Sequence, residues 1–98
     1  MAKSHDPITP GAILLTEFLE PLGISQYRLA QATLLPQTRI SEIVRGKRSI
    51  TPETALRLSK ALGTDDRFWL NIQLDYDVEV ERDLHGAEID KVTILVAS

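Results

Sequence analysis

Gln37, Thr38 and Arg39 stand in a row, with Glu42 shortly after them. Such side chains suit the edges of nucleic-acid bases. Glutamine can pair with N6 and N7 of adenine, and arginine with O6 and N7 of guanine. Threonine can bond a base edge or meet a thymine methyl. Glu42, one helical turn on, completes the candidate base-reading set. Around it lie groups suited to the phosphate rail: Gln26, Arg28, Arg45, Lys47 and Arg48. A glutamine at a helix N-terminus can donate to phosphate from both side chain and backbone. A basic loop such as Lys47-Arg48 can touch the sugar-phosphate rail or enter a minor groove.

These roles hold only if the chain positions the residues. Ser25 is an N-cap type, and a short helix is predicted from it to about Thr33, with Leu29, Ala30 and Ala32 on its apolar side. Leu34-Leu35 makes a short connection. Pro36 then starts a helix to about Arg45, with Ile40, Ile43 and Val44 facing inward and Gly46 as a left-handed stop. Two short helices joined by about three residues have the dimensions of a helix-turn-helix. The second helix then offers its polar first turn to the major groove. Five flanking basic groups without compensating acids strengthen that reading.

The rest is helical by the same signals. Thr9-Pro10 opens a first helix, with Leu14, Phe18 and Leu22 recurring every four residues and Pro21 and Gly23 ending it. Thr51-Pro52 opens a fourth, with Ala55, Leu58 and Leu62 inward and Gly63 as its stop. Thr64 is expected to cap a fifth over residues 65–80, with Asp65 and Asp66 set against its N-terminal dipole. This last helix is apolar on two sides, through Phe68, Trp69, Ile72 and Tyr76 and through Leu70, Leu74 and Val78. Such a helix is expected to lie between the core and a second molecule. Beyond a polar stretch at 82–90, Val92, Ile94 and Val96 alternate with other residues. That predicts one short strand at about 91–96, paired with its own copy in a dimer, since a lone strand is unstable. The expected organisation is all-α, with a DNA-binding domain over 1–81 and an extension over 82–98 carrying the strand. The candidate interface comprises Trp69, Leu70, Leu74, Val78, Val92, Ile94 and Val96.

Composition narrows the classes. Ninety-eight residues suit one domain with one modest core. No cysteine is present, which excludes disulfides and thiolate metal sites. His5 and His85 stand far apart and read as surface residues. No metal-ligand cluster, nucleophile–base pair or phosphate-cradling glycine loop is evident, so no metal, no cofactor and no enzyme activity is expected. The longest apolar runs are four residues, against the roughly twenty a membrane span needs. The first residues lack the apolar region of a signal peptide, so the expected location is the cytoplasm. The net charge is −3, yet residues 25–60 hold seven basic groups against two acids. Residues 61–98 hold three basic groups against nine acids. A basic centre and an acidic tail suggest two faces with different partners. Trp69 and Tyr76 lie in the acidic half and read as core or interface rather than a base-stacking platform.

Residues 13–63 resemble the Cro/cI-type (XRE) helix-turn-helix: Ser25-Gln26, Ala30, Ile40-Ser41 with Ile43, and Gly46-Lys47-Arg48. Over about residues 7–80 the chain resembles the HigA antitoxins, including the VapI-named proteins. The carrying segments include Glu17-Phe18-Leu19, Pro21-Leu22-Gly23, Thr54-Ala55-Leu56-Arg57-Leu58 and, most selective, Phe68-Trp69-Leu70-Asn71. Leu34-Leu35 departs from the pattern, standing where a small residue and a glycine are more usual; an apolar turn can pack inward. The resemblance implies a five-helix Cro/cI-like fold, a homodimer, and repression of the protein's own operon at a palindromic operator. It also implies neutralisation of a HigB toxin, an mRNA-cutting ribonuclease related to the RelE toxins. A ribonuclease must attract phosphate, so the acids Asp75, Asp77, Glu79, Glu81 and Asp83 are candidates to face it. The alternative is a solitary repressor of the same family without a toxin.

Overall fold

The computed structural model describes residues 6–97. His5 lies outside the described residues. Five helices form among them. Helix α1 covers residues 10–22, α2 Gln26–Thr33, α3 Gln37–Val44, α4 Pro52–Leu62 and α5 Phe68–Asp90. None is long and apolar enough to cross a membrane.

Thr9 caps α1: its Oγ1 accepts from the Ala12 N–H at 3.1 Å, and Pro10 takes the first helical place. The helix is α over Pro10–Ile13, π over Leu14–Leu19 and α again over Glu20–Leu22. Pro21 has no N–H to give to the helix, and irregularity near such a residue has an identifiable cause. The Glu20 N–H reaches back five residues, to the Leu15 carbonyl. Leu14 and Leu19, five apart, are therefore both buried. Phe18 is only partly so and Leu22 is exposed, contrary to the expected every-fourth stripe.

Leu29, Ala30 and Thr33 of α2 face the core, while Ala32, expected inward, is exposed. Thr33 is buried because its hydroxyl donates to the Leu29 carbonyl at 2.7 Å. Ile40 and Ile43 of α3 and Ala55 and Leu58 of α4 complete the wall. Trp69 sits at the centre with no exposed surface, its ring 5.0 Å from both Phe18 and Phe68. A candidate for core or interface, it is enclosed by the core. Burying so large an aromatic side chain is a major favourable term for a chain of this size.

The C-terminal third departs from expectation. Thr64 caps nothing: its hydroxyl is buried without a partner, and Asp65 Oδ1 accepts from the Arg67 N–H at 2.8 Å. Helix α5 begins at Phe68 and continues past residue 80 to Asp90, with non-helical backbone at His85. His85 is exposed, as read, and its Nδ1 lies 2.8 Å from Glu81 Oε2. No strand occurs among the described residues. The segment 91–96 is a turn and irregular chain, with Val92, Ile94 and Val96 exposed. The alternation is present in sequence, but no second strand of this chain offers a ladder to pair with.

Candidate DNA interface

Helices α2 and α3 form the bihelical unit. Ser25 has extended backbone, and its Oγ accepts from the Arg28 N–H at 3.0 Å. This cap places Gln26 at the first position of α2. Leu34 ends α2 in the left-handed region, at φ 60°. Its own side chain projects outward while Leu35 turns into the core, so only one of the two leucines packs inward. Pro36, at φ −60° and ψ 142°, then sets the start of α3.

Gln37 and Thr38 open α3 exposed, and Arg39 is half-buried beside them. The inward positions belong to Ile40 and Ile43, so helical periodicity leaves the polar first turn facing out. At the other end Gly46, at φ 75°, stops the helix. The Gly46 N–H donates to the Ile43 carbonyl at 3.0 Å and the Lys47 N–H to the Glu42 carbonyl at 2.8 Å. This left-handed closure turns the chain sharply and leaves Lys47 and Arg48 exposed just beyond α3. Arg28 and Arg45 are also exposed, whereas Gln26 is half-buried. Arg45 Nε donates back to the Ser41 carbonyl at 3.3 Å.

Two of the site's cations have acidic partners, contrary to expectation. Arg39 Nη1 donates to Glu53 Oε1 at 3.0 Å. Arg48 Nε donates to Glu42 Oε1 at 2.8 Å. That bond engages one of the two Glu42 carboxylate oxygens. Glu53 also faces Arg57 at 3.6 Å, and Arg57 Nη1 donates to the Thr33 carbonyl at 2.9 Å. The two acids within the basic stretch are thus both engaged with arginines.

Gln73 supports the unit from behind, and the sequence reading missed it. It is buried in α5, and its Oε1 accepts from the Ile50 N–H at 2.8 Å, while its Nε2 donates to Asp77 Oδ1 at 2.9 Å. This holds the loop after α3, the one bearing Lys47 and Arg48, against α5. A polar residue four positions after Trp69 was the available signal. Of the interface candidates on α5, Leu70 is half-buried while Leu74 and Val78 are exposed, forming a stripe at four-residue spacing.

The fold and this unit define a helix-turn-helix protein of the XRE type. The chain belongs to the helix-turn-helix family, which it matches over residues 15–69. It is similar to Virulence-associated protein I of Dichelobacter nodosus, with 46% identity over 87 residues, or 89% of this chain and 75% of the relative. Among solved structures it resembles the Pseudomonas aeruginosa antitoxin HigA with the higBA promoter, with TM-score 0.85 and 34% identity, over 92% of this chain and 99% of that one. It also resembles antitoxin GraA in complex with its operator, with TM-score 0.86 and 37% identity over 99% of both chains. The resemblance to HigA antitoxins read from the sequence is borne out.

Proposed function

We propose that this protein is the antitoxin of a HigBA-type toxin–antitoxin pair and the repressor of its own operon. The observation that carries the reading is the likeness, over nearly the whole of both chains, to an antitoxin solved on its operator. The exposed polar first turn of α3 supports it. In this reading Gln37, Thr38, Arg39 and Glu42 meet base edges in the major groove. Gln26, Arg28, Arg45, Lys47 and Arg48 contact phosphate or sugar. The protein acts in the cytoplasm as a homodimer, because one recognition helix reads too few base pairs for useful specificity. Two such helices sit roughly 34–36 Å apart on a palindromic site. The exposed Leu74 and Val78 of α5 and the apolar side chains of 92–96 are the surfaces available for pairing.

The toxin partner is a basic, RelE-like ribonuclease, met in part by the acidic flank of α5. The exposed Asp75, Asp77, Glu79, Glu81 and Asp83 are the charges for steering capture. Co-expression with the neighbouring gene, followed by co-purification and a promoter-binding assay, tests both halves. Capture of a small ribonuclease together with sequence-specific promoter binding is expected. Promoter binding with no captured neighbour supports the solitary repressor instead. Loss of promoter binding overturns the repressor reading.

A further inference from the structure

We infer that Glu53 is a specificity-determining residue that acts through Arg39, holding the guanidinium for guanine while repelling phosphate. The inference rests on the DNA-reading role proposed for Arg39. Glu53 lies in the first turn of α4, fourteen positions from Arg39 in sequence, and accepts from its Nη1 at 3.0 Å. The carboxylate is itself held from behind. Arg57 approaches its Oε2 at 3.6 Å, and Arg57 donates to the Thr33 carbonyl at 2.9 Å and the Leu34 carbonyl at 3.4 Å. A chain of contacts therefore runs from the turn between α2 and α3, through α4, to the recognition helix.

The Glu53 end of the pair is solvated, its side chain keeping 56% of its surface, while that of Arg39 keeps 27%. Exposed ion pairs contribute little to folding. Its consequence is orientation. A free arginine samples many rotamers, and each must be given up on binding. Arginine carries five N–H donors in a rigid fork, so one can be held by Glu53 while others remain for a base. Guanine offers neutral acceptors at O6 and N7. Phosphate offers an anion, which the Glu53 charge repels. The arrangement therefore favours a base edge over the backbone at Arg39, and correct sequence over random sequence.

The experiment compares wild type, E53Q, R39A and the double variant. Each is titrated by fluorescence anisotropy against the promoter duplex of its own operon and an unrelated duplex of equal length. In E53Q, affinity for unrelated DNA should rise and the operator preference should fall about tenfold. In the R39A background, E53Q should change the preference by less than about twofold. E53D, which keeps the charge, should restore part of the preference. An unchanged preference in E53Q overturns the inference, as does an equal loss with Arg39 already absent. If wild type shows no preference for the promoter duplex, the DNA-reading role itself falls, and this inference with it.

Discussion

Gly11, in the first turn of α1, lies directly against the backbone carbonyl of Ile43 near the end of α3. A Cβ placed on Gly11 would overlap the Ile43 oxygen and crowd the Val44 Cα. The obstacle is backbone, which cannot swing aside as a side chain can. Helix α1 thus supports the C-terminal end of the recognition helix through a contact only glycine permits. Gly11→Ala should destabilise the protein by about 1–3 kcal/mol, the range for overpacking. Urea unfolding gives the number, and an unchanged midpoint would show that the two helices separate without cost.

The buried Gln73 leads to a second expectation. In Gln73→Leu the Ile50 N–H loses its acceptor with little change in side-chain volume. A buried donor left unpaired costs about 1–3 kcal/mol. Exchange of the Ile50 amide should quicken, and the unfolding midpoint should drop. Wild-type protection of that amide would mean another acceptor replaces Gln73.

Leu34 is an opportunity rather than a weakness of the site. Its φ of 60° is costly for a residue with a Cβ, and the residue is 82% exposed, so little packing compensates. Leu34→Gly should stabilise the fold by about 0.5–1 kcal/mol, the relief of left-handed strain less the entropy of glycine. Thermal unfolding checks this. A lower midpoint would mean that Leu34 makes a stabilising contact that outweighs its strain.

Base readers and phosphate contacts should separate in binding data. Arg39→Ala should cost about 1–3 kcal/mol on the operator and much less on random DNA. Lys47→Ala with Arg48→Ala should weaken binding to every sequence and flatten the salt dependence by about one unit for each charge. Equal losses on both DNAs for Arg39→Ala, or an unaltered salt slope for the double variant, would reverse these assignments.

The stripe Leu74–Val78 carries the dimer expectation. Replacing both by aspartate puts charge into a surface proposed to be desolvated on pairing. The variant should sediment as a monomer at micromolar concentration where wild type is dimeric. A variant that still pairs would place the interface elsewhere, with the apolar segment 92–96 as the next surface to test.

Local punctuation made the bihelical unit legible. Ser25, Pro36 and Gly46 each act at the helix end expected of them, and α2 and α3 begin one residue after Ser25 and Pro36. Other features left weaker traces. The π segment shifts burial from an every-fourth pattern to Leu14 and Leu19, a spacing that ordinary helical periodicity does not anticipate. The far half of α5 is exposed on nearly all sides, so residues 82–90 show no apolar stripe and read as a break. The alternation at 92–96 imitates a strand because period two says nothing about whether a partner exists. The pairing of Arg39 with Glu53 joins residues fourteen positions apart on different helices, beyond the reach of any local pattern.

The π segment of α1 also sets an angular phase. One extra residue in a helix amounts to roughly 100° of rotation between the parts on either side of it. Gly11 before the segment and Leu19 at its end meet the same interior because the wide turn absorbs that offset. Deleting a single exposed residue there, such as Thr16, would leave a smoother and more regular helix. Because the wide turn absorbs one residue, the shorter helix would keep Gly11 against Ile43 with Leu19 still inward. For this helix the additional residue is an insertion taken up locally, and the two ends agree with it or without it.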